Sequence, residues 1–450
     1  MRVLLMLLVA AVLVLSSIPS APAAGRAPNI VVILSDDAGY ADFSMHGSRR
    51  FLTPNIDSIA ENGVLFTQGY VTASVCSPSR AGLLTGRYPQ RFGHEFNIPP
   101  RMSHTNGLPL TEVPLSAVLK KHGYRTIALG KWHLGYADAF HPLSRGFDDF
   151  FGFLQGARSY RPLRGNRLNR LLRDRSPVDE DFDYMTDELG KQAAAYIARH
   201  RDRPFFLYLA PNAVHTPMHA RADDLEAVAE IRRPRRRKLA AMTLALDRMV
   251  GTVLAALRRH RLDRDTLLFF VNDNGGATRN ASVNAPLRGH KATPFEGGIR
   301  VPFVAQWPAR LPRGKRYEHP VITLDVFPTA LAAAGYSGEP KNALDGVNLL
   351  PFLTGRKQAR PHPSLYWRRG PNWAVRHLDA KLVFHRRTAE APMLFDLGDD
   401  PYEKHDLAGE HPDRVAALKK RYDAWASELA DPRWRYGRGR KRKPPSGKRR

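Results

Sequence analysis

Asp36-Asp37 follows an apolar β-branched run, Asn29-Ile30-Val31-Val32-Ile33-Leu34. Adjacent carboxylates at the end of such a run repel each other unless something compensates. A divalent cation is the simplest compensation, and Asp273-Asn274, after another apolar run, offers further oxygen ligands. Oxygen donors without a neighbouring cysteine or histidine cluster specify a hard cation, calcium or magnesium, over zinc. Taken alone, an Asp-Asp pair after a strand reads more readily as a turn or a helix cap. Lys131 and His133, in Gly130-Lys131-Trp132-His133-Leu134-Gly135, stand two residues apart, so an extended segment points both side chains to one side. Cys76 is the only cysteine in 450 residues. An unpaired thiol is open to oxidation outside the cell, so its retention in a chain that begins like an exported one argues for a use. The structural alternative is a buried small apolar residue.

The elements that must position these groups are legible as runs. Residues 29–34 are a continuous apolar stretch of the kind found in strands buried on both faces, and 124–129, 205–209 and 267–271 are similar runs. Between them Leu239, Met242, Leu246, Met249, Val253 and Leu257 recur at helical spacing, and Leu115, Val118 and Leu119 begin a shorter helix. Strands alternating with helices predict a largely parallel α/β sheet covered on both faces. Ligands of open α/β sheets bind beyond the carboxyl ends of the strands. Four strand ends carry chemistry here: Asp36-Asp37, Lys131-Trp132-His133, His215 and Asp273-Asn274. After Leu353-Thr354-Gly355-Arg356 the pattern changes to short strands at Leu365-Tyr366-Trp367, Trp373-Ala374-Val375, Lys381-Leu382-Val383-Phe384 and Leu394-Phe395-Asp396-Leu397. A helix with Val415, Leu418, Tyr422, Trp425 and Leu429 on one face follows, and no internal repeat is visible.

The segment around the cysteine, Val75-Cys76-Ser77-Pro78-Ser79-Arg80-Ala81-Gly82-Leu83-Leu84-Thr85-Gly86-Arg87, resembles the signature of the type I sulfatases, and Arg91-Phe92-Gly93-His94-Glu95 resembles their galactosamine-6-sulfatase-like branch. The resemblance extends in family order over nearly the whole mature chain, including Leu397-Gly398-Asp399-Asp400-Pro401-Tyr402-Glu403. It implies an α/β, alkaline-phosphatase-like sandwich with a large, mostly parallel central sheet and a smaller C-terminal antiparallel sheet plus helix. It also implies that a formylglycine-generating enzyme reads Pro78 and Arg80 and oxidises Cys76 to formylglycine, with a helix starting near Ala81 behind it. A hydrated aldehyde has one hydroxyl to attack sulfur and another to expel the sulfate by re-forming the carbonyl. By the same resemblance Asp36, Asp37, Asp273, Asn274 and the modified Cys76 hold one ion, calcium before magnesium, and Arg80 supports the hydroxyl. Lys131 would grip the sulfate oxygens and His133 would be the base for sulfate release. His215 and Lys291, the latter chosen over His290 in Gly289-His290-Lys291-Ala292, would contact the sulfate and protonate the departing alcohol. Glu296-Gly297-Gly298 would fix the turn that positions that loop. The implied activity is hydrolysis of sulfate monoesters, on a sulfated carbohydrate or an aryl sulfate. A phosphatase or phosphodiesterase of the same fold would need a two-metal ligand set and a serine or threonine nucleophile. A catalytically inactive polyanion-binding protein would not need the full set of catalytic residues.

Residues 1–24 hold one positive charge, an apolar run and Ala21-Pro22-Ala23-Ala24, the layout of a secretory signal peptide, which predicts a periplasmic or secreted protein. No other segment reads as long and apolar enough for a transmembrane anchor. The expected divisions are a catalytic domain over 25–356, a C-terminal subdomain over 357–432 and a basic disordered tail over 433–450. Lys plus Arg total 69 against 43 Asp plus Glu, a net charge of +26, concentrated at 232–238 and in the tail. On an exported protein such charge faces acidic polysaccharides or lipids and no specific nucleic acid, so the tail would either help capture a polyanion or be merely solvated. His46, His94, Glu95, Asn97, Arg145 and His219 could line sugar subsites, with Trp132 or Tyr160 stacking on a ring, although each taken singly reads as structural or solvent-exposed. The loop over 156–175 is expected to carry substrate selectivity.

Overall fold

The computed structural model describes residues 26–164 and 169–434; the expected signal peptide and the tail beyond Trp434 lie outside the described residues. Alternation along the first strand shows why a central sheet forms. Ile30, Val32 and Leu34 enter one apolar core, whereas Val31 and Ile33 enter another on the opposite face. A strand buried on both sides needs layers above and below it. Burying each such aliphatic side chain contributes roughly 1.5–3 kcal/mol.

The ten-stranded sheet runs in the order Lys315–Tyr317, Val64–Phe66, Phe303–Gln306, Thr266–Asn272, Asn29–Ser35, Phe205–Ala210, Arg125–Lys131, Asp149–Phe153, Leu172–Arg173, Ser176–Pro177. The five strands from Thr266–Asn272 to Asp149–Phe153 are parallel to one another, and antiparallel pairs join Phe303–Gln306 and the short strands at the other edge. One face is covered by helices Met185–Arg199 and Pro234–Arg259. Helices Cys76–Thr85, Leu115–Lys121 and Val326–Ala333 cover the other.

In Pro234–Arg259 the anticipated stripe of Leu239, Met242, Leu246, Met249, Val253 and Leu257 is fully buried, and proline opens the first turn, where its missing N–H costs nothing. This helix departs from one expectation, because it is long and apolar enough by composition to cross a membrane. Most of it is instead buried inside the protein against Met185–Arg199 and the sheet. Its stripe belongs to the protein's interior.

The C-terminal part is a four-stranded antiparallel sheet, Ser364–Arg369, Asn372–His377, Ala380–Phe384 and Met393–Asp396, with helix Pro412–Ser427 packed on it. Trp373 stacks on Tyr422 at 4.3 Å and Tyr366 on Trp425 at 5.0 Å. Leu429 falls beyond the helix end. The start of the expected disordered tail also shifts, since Trp434 is buried and its indole N–H donates to the carbonyls of Phe96 and Asn97.

A buried ionic cluster joins this sheet to the short helix Glu296–Ile299 and to Tyr70 of the catalytic part. The Lys381 ammonium lies 2.7 Å from Glu296 and 2.8 Å from Glu403, with all three side chains fully buried. The Tyr70 hydroxyl donates to Glu296 at 2.7 Å and accepts from Arg376 at 2.6 Å. Removing the cation would strand two carboxylates, so Lys381→Met should destabilise the fold by about 3–5 kcal/mol, seen as a lower urea midpoint at unchanged slope. Burial, helped by the Glu296 charge and opposed by Lys381, pushes the Glu403 carboxyl up to about 7 from an ordinary 4.5. The folded state therefore holds this proton more tightly than the unfolded one, and stability from this group is present below pH 4.5 and lost as pH rises through about 7. Glu403→Gln should flatten that fall, measured as urea midpoints between pH 4.5 and 7.5.

Candidate active site

Strand register assembles the site. Ser35 pairs with Asn272, so Asp36 and Asp273 leave neighbouring parallel strands at the same level. Ile33 pairs with Leu209, which in turn pairs with Leu129, bringing Lys131 to the same edge. Beyond the strand ends, the Asp36 N–H donates to the Ala213 carbonyl and the Val214 N–H to the Asp36 carbonyl, which ties in the loop carrying His215. The Asn280 amide and the Ser282 hydroxyl both donate to the Asp37 carbonyl.

Cys76 is the first residue of helix Cys76–Thr85, so the helix begins at the cysteine itself and not near Ala81. Pro78 is tolerated there because first-turn N–H groups have no partner within the helix. The Ser77 N–H is capped by Asn97 Oδ1 at 2.9 Å. Gly86, at φ 66°, closes the other end by donating to the Gly82 carbonyl.

Around the thiol the charged groups interlock. Cys76 Sγ lies 3.6 Å from Asp36 Oδ1 and 4.0 Å from Asp37 Oδ1. Lys291 Nζ donates to Asp37 Oδ1 at 2.6 Å and approaches Sγ at 3.2 Å. Lys131 Nζ donates to Asp36 Oδ2 at 2.6 Å. Arg80 donates to Asp273 Oδ2 at 2.8 Å and sits 3.6 Å from Asp36 Oδ2. His215 Nε2 stands 3.5 Å from Asp37 Oδ2, and this ring is partly exposed while Asp36, Asp37, Cys76, Arg80, Lys131 and Asp273 are buried. His290 turns outward, its Nδ1 by the Lys291 carbonyl, so Lys291 is the one that meets the cysteine.

Burial, reinforced by Asp273, pushes the Cys76 thiol up to about 12 despite the helix N-terminus and two lysines. Unmodified, it is a thiol at neutral pH and a poor nucleophile. Burial pushes Asp36 up, but Lys131, His215, Arg80 and Lys291 together overcome it and hold the carboxyl well below its usual range. Asp273 rises to about 6 through burial and the Asp36 charge. Burial, then Lys131 and Arg80, lower His133 well below 6.5, so its imidazole is neutral. The extended path expected between Lys131 and His133 is not observed. His133 takes φ 59°, and its ring packs against Gly156, where an added Cβ would come within 2.6 Å of it.

Asp36, Asp37, Cys76 and His215 form a candidate metal-binding group, with a sulfur and an imidazole nitrogen beside the carboxylates, and each brings one potential ligand atom to within 4.8 Å of the others. Asn274 Oδ1 is buried with no partner while its amide nitrogen donates to Asp37 Oδ1 at 2.8 Å. Turning that amide over would aim a second oxygen at the same point, an arrangement that a bound cation would satisfy. Asp273 is engaged by Arg80 and by the Asp37 N–H at 3.3 Å, and His215 stands nearer to this group than the sequence suggested.

Most of the possible sugar contacts have structural partners. His94 is buried and bonds the Ser77 hydroxyl at 2.7 Å. Glu95 pairs with Arg368 at 2.9 Å, and Arg145 donates to the carbonyls of Pro109 and Glu112. His46 packs on Tyr40, and His219 lies by Ser159. Trp132 and Tyr160 are buried core residues; the Tyr160 hydroxyl bonds the carbonyls of Asn212 and His215 and so braces the histidine loop. Only Asn97 of that group opens on a cavity of about 280 Å³ beside the site, with Arg279, His290, Lys291 and Arg369. Tyr160, Asn280, Ser282 and Gly156 were not marked for these supporting roles by sequence, because each acts from a loop remote in the chain; the asparagine in Asn272-Asp273-Asn274 was the nearest hint.

A family model described as Sulfatase matches residues 28–336. The chain belongs to the sulfatase family. A second model, N-sulphoglucosamine sulphohydrolase, C-terminal, matches 290–426. The chain is similar to N-acetylgalactosamine-6-sulfatase of Canis lupus familiaris, 34% identical over 440 residues that span 86% of this chain and 83% of the relative. Arylsulfatase A of Homo sapiens is 33% identical over 461 residues, spanning 88% of this chain and 87% of its own. Among solved structures, Ps i-CgsB in complex with k-i-k-neocarrahexaose superimposes with a TM-score of 0.86 at 35% identity, covering 91% of this chain and 95% of that one. The sulfatase therefore has the alkaline-phosphatase-like fold and is a sulfuric ester hydrolase acting on a sulfated substrate.

If this donor set holds calcium, the ion at a hundredfold excess over its dissociation constant should stabilise the sulfatase by about 2.7 kcal/mol. Thermal melts with calcium and with chelator would show the shift. Asp37→Asn should lose most of it.

Proposed function

We propose that the chain is an exported, calcium-dependent, formylglycine sulfatase that hydrolyses sulfate monoesters of carbohydrates. The observation that carries this reading is Cys76 at the first turn of a buried helix, 3.2 Å from Lys291 and facing Asp36 and Asp37. A buried thiol pushed up to about 12 is unsuited to attack, which favours a modified side chain at that position. Formylglycine at residue 76, once water adds across its aldehyde, would supply two hydroxyls on one carbon, one a nucleophile and the other the group whose deprotonation drives sulfate release as the aldehyde re-forms. Asp36, Asp37, Asp273, Asn274 and residue 76 would hold the calcium, which would supply fixed positive charge where negative charge develops. A single cluster of metal-ligating side chains among the described residues supports one ion and disfavours the two-metal centre of a phosphatase.

The side chains divide the remaining work. Lys131 and Lys291 carry their charge to the sulfate oxygens, and Arg80, anchored on Asp273, holds the carboxylates in place. His133, neutral because of burial and the Lys131 charge, can accept a proton. His215, partly exposed and fixed through Nδ1 by the Thr216 carbonyl at 2.6 Å, presents Nε2 toward the position of the leaving alcohol, where it would donate. The named substrate of the canine relative and the neocarrahexaose in the solved structure favour a sulfated sugar, and the cavity at Lys291 with Asn97 and Arg279 is where its ring would lie. Residues 1–24 serve export to the periplasm or beyond, a formylglycine-generating enzyme is the maturation partner, and the tail aids polymer capture. The catalytic part, 25–356, is completed by the subdomain over 357–432, whose Lys381 braces the loop bearing Lys291 through Glu296.

Mass spectrometry of the Cys76 peptide from the native host should find formylglycine; thiol alone in active protein would sink the mechanism. Cys76→Ser should fold normally and lose nearly all multiple turnover on an aryl sulfate. His133→Ala should lower kcat by about 10²–10⁴-fold, measured in the same assay.

A further inference from the structure

A second concavity lies across a short turn from the reaction site. Ala277, Thr278 and Arg279 line the cavity at Lys291, whereas Ala281, Ser282 and Val283, just past that turn, line a cavity of about 780 Å³. The same cavity is lined by Arg49 and Arg50, together with Arg233, Arg235 and Arg236 around the start of helix Pro234–Arg259. No carboxylate lines it. Arg236 is accounted for, since it pairs with the buried Asp42 and lies over the Phe51 ring at 5.3 Å. Arg49, Arg50, Arg233 and Arg235 are exposed and, among the described residues, have no carboxylate or side-chain hydrogen-bond partner. Elsewhere on the same molecule Arg91, Arg158 and Arg248 are each matched to carboxylates. Like charges gathered in one concave surface repel each other, and the helix N-terminus adds to the positive potential. An anion relieves that repulsion. Several anions at regular spacing relieve it best.

We propose that this groove is an exosite for a polysulfated polysaccharide, gripping sulfate groups of the same polymer whose reacting ester lies at residue 76. The inference rests on the sulfatase reading and names a substrate class for it. The polymer is favoured over a nucleic acid because both cavities share the 277–283 loop, with exposed Arg279 on the turn between them, so one sulfated chain can occupy both. The uncommitted arginines are then positioned to recognise the substrate beyond its reacting residue.

The test compares the full chain with Arg49→Glu/Arg235→Glu, and with the milder Arg50→Ala/Arg233→Ala, so that one variant that folds suffices. Fluorescence anisotropy would measure binding of a heparin oligosaccharide, and of single-stranded DNA of matched charge, at low and physiological salt. The charge-reversed protein should bind heparin about tenfold or more weakly, and the difference should shrink as salt rises. The alanine pair should move the same way by less, while kcat/KM on a small aryl sulfate stays unchanged. Equal heparin affinity in wild type and variants would overturn the exosite. DNA bound as tightly as heparin, with the same loss in the variants, would overturn the assignment to sulfated polysaccharide. Absence of aryl sulfate turnover in the formylglycine-bearing wild type would count against the sulfatase reading alone, with the binding comparison still deciding the groove.

Discussion

Three aspartates, Asp36, Asp37 and Asp273, are buried together at one end of a sheet, and their mutual repulsion is the constraint around which the rest of the site is arranged. Lys131, Lys291 and Arg80 each answer one of them directly, and His215 approaches a carboxylate from the solvent side. Ionised carboxylates survive burial only when paired or bound to metal. The same groups that satisfy them are those a sulfate ester would meet, so the requirement for folding and the requirement for anion recognition coincide. Cys76 sits inside this cluster, and burial, reinforced by the Asp273 charge and opposed by the two lysines, holds its thiol protonated.

A second buried cluster serves the first. Glu296 lies on the loop that follows Lys291, and it is gripped by Lys381 from the C-terminal sheet, by Tyr70 and, more loosely, by Arg300 at 3.5 Å. Glu403 accepts from the Glu296 N–H at 2.8 Å, closing the bracket from another C-terminal segment. The smaller sheet is thus part of the scaffold that sets where the Lys291 ammonium points. Such a cluster adds little net stability over an apolar core of the same shape, yet breaking it is costly, which gives it value as a device for register.

The surface divides in the same spirit. Arginines matched to carboxylates hold elements together, as Arg248 does between Asp187 and Asp224. Arg49, Arg50, Arg233 and Arg235, in the groove beside the 277–283 loop, have no such internal duty, unlike Arg236 next to them, and their charge projects into solvent where a polyanion arrives. Net charge alone, +26, could not distinguish the two kinds.

Much of this protein was determined by sequence acting locally. The buried strands, the long amphipathic helix and the placement of Asp36-Asp37, Lys131 and Asp273-Asn274 at strand ends follow from apolar runs and their period, because burial on one or both faces imposes that pattern wherever the element sits. The Cys76 motif likewise announced its family through contiguous residues. Local pattern could not set what depends on distant segments meeting. The helix begins at Cys76 because Asn97 caps Ser77 from another loop, and His133 leaves the extended path to lie against Gly156. Trp132 and Tyr160 could have been sugar platforms, with packing the safer reading, and it was the packed chain that made them core, since exposure is a property of the packed chain and not of a side chain. The membrane-length apolar helix was settled the same way, by neighbours that cover it. The pairing of Ser35 with Asn272, residues far apart in the chain, decided which carboxylates would share a site; hydrogen-bond register between strands is a long-range choice that no single stretch of sequence contains.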